Sequence, residues 1–157
     1  MKNIFFYSTS IGKIGIAENG EAITNLYFGG EKTPQDVEVK ETALIREAAT
    51  QLNDYLAGKR KVFEVPVALK GTSFQQTVWK ALTAIPYGET RSYKEIAESI
   101  GQPKACRAVG MANNKNPIAV LVPCHRVIGT NGKLVGYAGG LDIKEKLLGM
   151  EKRYANG

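Results

Sequence analysis

The sequence predicts an α/β (α+β) chain in two parts: a small sheet-and-helix module over residues 1–70, then a mostly helical part over residues 71–157. Three observations carry this expectation. Residues 1–70 hold short apolar runs rich in β-branched and aromatic side chains, separated by turn residues such as Asn19-Gly20. Beyond Lys70-Gly71-Thr72 the apolar positions recur at helical spacing. Charge divides at the same place. Residues 1–70 carry nine Lys/Arg and nine Asp/Glu, and residues 71–157 carry twelve and six, so the whole net charge of +6 lies in the second part.

Taken in order, Asn3–Ser8, Lys13–Ala17 and Ala22–Phe28 read as three strands, the last stopped by Gly29-Gly30. Glu41–Leu56 places Ala43, Leu44, Ala48, Leu52 and Leu56 near helical spacing, and Gly58 ends it. Val62–Leu69 reads as a further strand. Next, Thr72-x-x-Gln75 and Ser73-x-x-Gln76 each offer a capping box, in which a hydroxyl and an amide satisfy orphan N–H groups at a helix start. Phe74, Val78, Leu82 and Ile85 then share one face, and Pro86-Tyr87-Gly88 closes the helix. Trp79, the only tryptophan, is expected in the core and not as a base-stacking platform.

Ser92-x-x-Glu95 opens a helix over Tyr93–Ile100 with Ile96, Ala97 and Ile100 inward, and Gly101 breaks it. Pro103 suits the first turn of another helix, Pro103–Asn113, which carries Lys104 and Arg107 among small residues. Two short helices joined by a glycine turn form a helix-turn-helix pattern, though helical hairpins share it. Asn113 through Pro117 reads as a turn, and Ile118–Val122 as a buried strand or extended segment. Asp142 is expected to cap a last helix with Leu147, Leu148 and Met150 inward.

Composition narrows the function. No apolar run approaches the ~20 residues of a membrane span, and no basic-then-apolar leader opens the sequence. Two cysteines and one histidine fall short of a four-ligand zinc site, so no metal is expected, and a reducing cytoplasm suits two free thiols. No acid occurs between Glu98 and Asp142, while Lys104, Arg107, Lys115, Arg126 and Lys133 do. That acid-free window points to a polyanionic partner, or else to a solvated basic face.

The only histidine, His125, follows Cys124 in Val122-Pro123-Cys124-His125-Arg126-Val127. A thiol is a strong nucleophile as thiolate, and a nearby imidazole or cation helps to form it. His125 is the sole candidate base, and Arg126 adds positive potential. Adjacency hinders direct contact, because neighbouring residues point apart in strands and on helices. A sharp turn or a bridging water is therefore needed. An orienting carboxylate must come from elsewhere, with Asp142, Glu145 and Glu151 as the choices. By itself a Cys-His pair is more often a buried small hydrophobe beside a packed histidine.

The wider pattern changes that balance. Arg107-Ala108-Val109-Gly110, Asn116-Pro117, Val122 through Val127, Gly136-Tyr137-Ala138-Gly139-Gly140-Leu141, and Lys144 through Leu147-Leu148 to Glu151 occur in order. Together they closely resemble the O6-alkylguanine-DNA alkyltransferases, over most of residues 72–152. The resemblance implies a ribonuclease H-like N-terminal support domain over 1–70. It implies a winged-helix-like DNA-binding and alkyl-acceptor domain over 71–157. The implied activity is single-turnover transfer of an alkyl group, chiefly methyl, from O6 of guanine (possibly O4 of thymine) in DNA to an internal cysteine.

Residue by residue, the resemblance makes Cys124 the acceptor, His125 the base acting through a water, and Glu151 the group that orients His125. Asn116 would shape the turn. Tyr93 would rotate the target phosphate and donate a proton toward guanine. Arg107 would replace the flipped base in the stack, with Lys94, Gln102 and Thr130 as further DNA contacts. Tyr137, Val127, Ala138 and Val135 would line the base pocket. No cofactor is implied, and the expected partner is double-stranded DNA containing O6-alkylguanine, bound by a monomer in the cytoplasm with no membrane. The metal ligands of some relatives' N-terminal domains are absent. Cys106 reads as a packing residue in preference to a second acceptor. Two other readings remain at this point: a non-catalytic helix-turn-helix module binding alkylated or other DNA, and a cysteine hydrolase.

Overall fold

The computed structural model describes residues 2–29 and 36–155. The chain divides into two compact units, Met1–Lys70 and Gly71–Gly157.

In the first unit, β1 (Lys2–Thr9), β2 (Gly12–Glu18) and β3 (Ile23–Phe28) form an antiparallel meander, as their apolar runs predict. The sheet order is β3-β2-β1-β4, and the three-residue β4 (Val37–Val39) runs parallel to β1. Nothing in the sequence singles out β4, which is short and mostly exposed. Helix α1 (Ala43–Leu56) packs on β1, β2 and β3. Its buried Ile45, Ala48, Ala49, Leu52 and Tyr55 recur at three- and four-residue spacing. Thr42 caps it by accepting from the Ile45 N–H. Gly29 has φ +52° just past β3, whereas Gly30 lies outside the described residues.

The expected strand over Val62–Leu69 does not form. It is reduced to one bridge, Ile23 to Val67, with Ile23 N donating to Pro66 O and Ala68 N to Ile23 O. Pro66 has no N–H for a ladder, and Val62 stays 65% exposed, so the run lacks both pairing and burial.

In the second unit, α2 (Ser73–Thr83) starts at a full capping box made by Thr72 and Gln75, not by Ser73 and Gln76. Trp79 is buried and donates from Nε1 to Ala112 O at 2.9 Å, which fits a core role. Helix α3 (Tyr93–Ser99) opens on the Ser92–Glu95 box, and Gly101 turns the chain with φ +77°. Helix α4 (Cys106–Asn114) begins three residues later than expected. Ala105 N donates to Gln102 O, so Pro103 sets the φ of a tight turn and not the first turn of a helix. Helices α3 and α4 pack together, and both contact α2.

Ile118–Val122 is buried as expected, but it is a closed loop and not a strand. Val122 N donates to Ile118 O, and Val120 sits at φ +74°. A one-turn 3₁₀ segment, Cys124–Arg126, follows. Two-residue strands β5 (Arg91–Ser92) and β6 (Val127–Ile128) then pair in parallel, joining the start of α3 to the end of that turn. Helix α5 (Leu141–Tyr154) is preceded by Gly140 at φ +97° as its N-cap. Asp142 is therefore exposed in the first turn and does not cap it. Leu147 is fully buried, with Leu148 and Met150 half-buried. Among the described residues no helix is long and apolar enough to cross a membrane.

Ser92 joins β5 to α3 and makes both halves of its cap, with Glu95 N to Oγ at 3.0 Å and Ser92 N to Glu95 Oε1 at 2.9 Å. Ser92→Ala is expected to cost about 1 kcal/mol. Urea unfolding would show this as a lower midpoint at an unchanged slope.

Candidate active site

The 3₁₀ turn fixes how Cys124 and His125 diverge. Both are buried, and the turn is held from α4 and from the Asn116 loop. Asn113 Nδ2 donates to Cys124 O at 3.3 Å. Asn116 works at both ends of the preceding loop, with Nδ2 donating to Val122 O at 2.8 Å and Oδ1 accepting from Ile118 N at 3.0 Å. These bonds consume the polar groups that a strand would use, which explains the loop. They also hold Val120 in a left-handed conformation that a β-branched residue adopts only under constraint, at about 1–3 kcal/mol.

Of the three candidate acids, Glu151 faces His125. His125 Nε2 lies 2.7 Å from Glu151 Oε2. Arg126 grips the same carboxylate with two bonds, Nε to Oε1 at 2.8 Å and Nη2 to Oε2 at 2.9 Å. Gly88 N adds a weaker donation to Oε1 at 3.3 Å. Arg126 Nη1 donates to Ile85 O, so α5, the 3₁₀ turn and the end of α2 meet at one buried point. Gly88 is demanded there twice, by φ +83° and because a Cβ would come within 2.7 Å of Ala155 Cβ.

The charges follow from this packing. Burial works to raise the Glu151 carboxyl, but hydrogen bonds from His125 and Arg126 outweigh it and hold the pKa at about 2. Glu151 is thus an anion that only accepts. Burial lowers the pKa of His125 against the opposing pull of Glu151, so the ring is neutral at physiological pH. Its Nε2 therefore carries the proton donated to Glu151, and Nδ1 is the basic nitrogen.

Burial pushes the Cys124 thiol up to about 11, although Asn116 and Lys144 oppose it. The resting group is a thiol, which differs from the preformed thiolate that a neighbouring base suggests. Burial, together with the nearby Cys124, also raises the Tyr93 and Tyr137 phenols, so both remain proton donors.

Lys144 is 0% exposed. Its Nζ donates to Val127 O at 2.6 Å, Val135 O at 2.9 Å and Gly136 O at 3.5 Å. It thereby ties both ends of the 127–136 loop to α5. Tyr93 Oη donates to Val135 O at 3.2 Å, which pins the same loop to α3. A cleft of about 800 Å³ opens here, lined in part by Tyr93, Arg107, Gly110 and Val135.

Cys124, His125, Glu151 and Asn116 thus meet in one buried cluster, with Tyr93 and Arg107 on the adjoining cleft. Val135 reaches that cleft, Val127 is buried, Tyr137 is half-buried and Ala138 is exposed. Lys94, Gln102 and Thr130 are exposed. Cys106 is half-buried at the start of α4, on the cleft.

Sequence reasoning missed Arg126 as the second partner of Glu151, and missed the roles of Lys144 and Asn113. A signal existed for Lys144. With Leu147 and Glu151 it forms a three- and four-residue stripe on α5, and all three are buried. Two charged residues on a buried stripe require partners.

Both units of the chain match known proteins. Residues 5–69 match the family model described as "6-O-methylguanine DNA methyltransferase, ribonuclease-like domain". Residues 73–153 match "6-O-methylguanine DNA methyltransferase, DNA binding domain". The chain is 55% identical over 148 residues to the methylated-DNA–protein-cysteine methyltransferase of Methanosarcina acetivorans, covering 92% of this chain and 95% of that protein. It is 50% identical over 151 residues to the constitutive methylated-DNA–protein-cysteine methyltransferase of Bacillus subtilis, covering 92% of each. Among solved structures, Mycobacterium tuberculosis OGT in complex with DNA is similar with a TM-score of 0.92 and 49% identity. That match covers 97% of this chain and 94% of the other.

Two titrations test the electrostatics. His125 is the only histidine, and its folded pKa is lowered, so it contributes stability above its unfolded value of about 6.5. That contribution is lost as pH falls below that value. The thermal midpoint should therefore drop on acidification from about pH 7 to 5.5, and His125→Asn should flatten that slope. In a Cys106→Ser background, iodoacetamide labelling of Cys124 should keep accelerating up to about pH 11. A plateau at the ordinary thiol value of about 8.5 would contradict the burial argument.

Proposed function

The chain belongs to the 6-O-methylguanine DNA methyltransferase family, and from that premise we propose that Cys124 takes an alkyl group, once, from O6 of guanine in DNA. The observation that carries the assignment is the 2.7 Å bond between His125 Nε2 and Glu151 Oε2 in the residue next to Cys124. It leaves Nδ1 as the basic nitrogen of a neutral, buried imidazole. This chain is then a methylated-DNA–protein-cysteine methyltransferase acting in DNA repair. Double-stranded DNA containing O6-alkylguanine is its substrate, and the protein works as a monomer in the cytoplasm without a cofactor.

The chemistry balances within the chain and the DNA. His125 Nδ1 accepts the Cys124 proton through a water, because residues diverging along a 3₁₀ turn do not face each other. The sulfur attacks the alkyl carbon, forming the S–C bond as the C–O6 bond breaks. Guanine leaves with developing negative charge, and Tyr93 turns its one O–H from Val135 O to donate its proton toward it, the phenolate then regaining a proton at the expense of the His125 imidazolium. Glu151 keeps the imidazole oriented and stabilises the imidazolium, while Arg126 offsets the carboxylate's own charge. A thioether is a poor leaving group, so the protein turns over once.

Access to the base requires flipping, which costs about a few kcal/mol. Arg107 on α4 fills the gap, recovers stacking and neutralises phosphate charge. Lys94, Gln102 and Thr130 add contacts from the exposed surface. Tyr137, Val127, Ala138 and Val135 form the base pocket, whose loop Lys144 holds in place. Asn116 fixes the turn that presents the sulfur.

Incubation with a duplex carrying O6-methylguanine should add one methyl per chain, on the peptide containing Cys124, and no second turnover should follow. Cys124→Ser should lose the adduct and retain binding. An unmodified protein beside unrepaired DNA would instead support a binding module with an inert thiol. Glu151→Gln should slow transfer and also cost about 3 kcal/mol of stability, because Arg126 loses its buried counter-charge. Chemical denaturation measured alongside single-turnover rates separates the two effects.

A further inference from the structure

Helix α4 carries an exposed ridge that the proposed chemistry does not use in full. Arg107, Met111 and Lys115 follow at four-residue intervals, so their side chains share one face across α4 and its C-cap. Val109, Ala112 and Asn113 point inward and fix that face outward. Met111 is 58% exposed, a large apolar side chain standing between two cations. Within a folded domain an isolated exposed methionine needs no explanation. Its setting here is narrower. The exposed Ala108 lies one turn before it, so the helix backbone can approach a surface closely with Met111 as the highest point. No acid occurs between Glu98 and Asp142, so the surface that fits this ridge is a polyanion.

We propose that Met111 is an apolar wedge against the DNA, seated at the base step beside the gap that Arg107 fills. This rests on the DNA-repair reading above and deepens it. Thioether side chains are flexible and polarizable, and apolar wedges at partly unstacked steps are a recurrent means of bending a duplex. Once a base has left the stack, the neighbouring step exposes an apolar face. Arg107 supplies charge and a planar face to the gap, and Met111 covers the adjoining apolar edge. Lys115, one turn further on, meets the backbone phosphates. The ridge thereby divides its work, two electrostatic contacts around one that is independent of salt.

The two kinds of contact separate by salt dependence. Met111→Ala should weaken binding to an O6-methylguanine duplex about ten-fold, the order expected for losing most of a buried apolar side chain. The slope of log affinity against log salt should stay unchanged. Arg107→Ala and Lys115→Ala should each lower that slope by about one. A duplex with 2-aminopurine beside the lesion should brighten on wild-type binding, and clearly less with Met111→Ala. Met111→Leu should restore both signals. Because Met111 is exposed, the thermal midpoint of Met111→Ala reports that the fold is intact. Wild-type methyl transfer together with unchanged affinity and fluorescence in Met111→Ala would overturn this inference alone. No transfer by the wild type would overturn the parent reading. A change in oligomeric state without any effect on DNA would make Met111 a contact between copies, and would also overturn the wedge.

Discussion

The second unit is organised around one buried carboxylate. Glu151 is 1% exposed and meets His125, the Nε–Nη2 edge of Arg126, and the backbone of Gly88. A lone carboxylate in such a place would protonate instead of remaining ionised. The bidentate guanidinium keeps it charged, and that charge in turn sets the histidine tautomer. Arg126 also reaches Ile85 O, so the end of α2 cannot drift without disturbing the same node. Buried ion pairs are weak evidence for stability, since burying both charges costs about as much as their attraction returns. What this pair specifies is geometry: it settles which nitrogen of a single imidazole is basic.

Lys144 plays the complementary part seven residues earlier on α5. Its ammonium is held by backbone carbonyls of the 127–136 loop, with no carboxylate among the acceptors described. The positive charge is therefore left to act on what lies nearby, and it opposes the burial effect on the Cys124 thiol. One helix face thus carries two charges of opposite sign with separate tasks, one orienting the His125 ring and the other tying down the 127–136 loop. Leu147 between them seals the interface against water.

Much of the fold was legible because local chemistry decides it. The Thr72–Gln75 and Ser92–Glu95 boxes are satisfied within a few residues, so sequence spacing alone locates α2 and α3. The three strands of the meander are adjacent in sequence, so their antiparallel pairing is local. The readings that failed depend on distant partners. Val62–Leu69 has strand composition, but Pro66 denies it a ladder. Ile118–Val122 has strand composition too, yet Asn116 closes it into a loop by taking both of its ends. The start of α4 was misplaced because Pro103 suits a turn as well as a helix. At the site, motif resemblance named Cys124, His125, Asn116 and Glu151 together. It did not indicate that Arg126 shares the carboxylate, because in sequence Arg126 is only a cation beside a histidine.

The thiol at about 11 changes how reactivity must arise. A protein that reacts once and is then spent gains nothing from a sulfur already ionised in solution, where other electrophiles and oxidants compete for it. A buried thiol beside a neutral imidazole has no such exposure. In the proposed reaction, proton transfer from sulfur to His125 would create opposite charges, the imidazolium facing Glu151 and the thiolate within the electrostatic reach of Lys144. Both new charges meet an existing partner, so the cost of separating them is lowest inside this cluster. Ionisation is then coupled to the arrival of an alkyl carbon that consumes the thiolate. On this view the high resting value is what restricts a single-use nucleophile to the base that has been turned into its pocket.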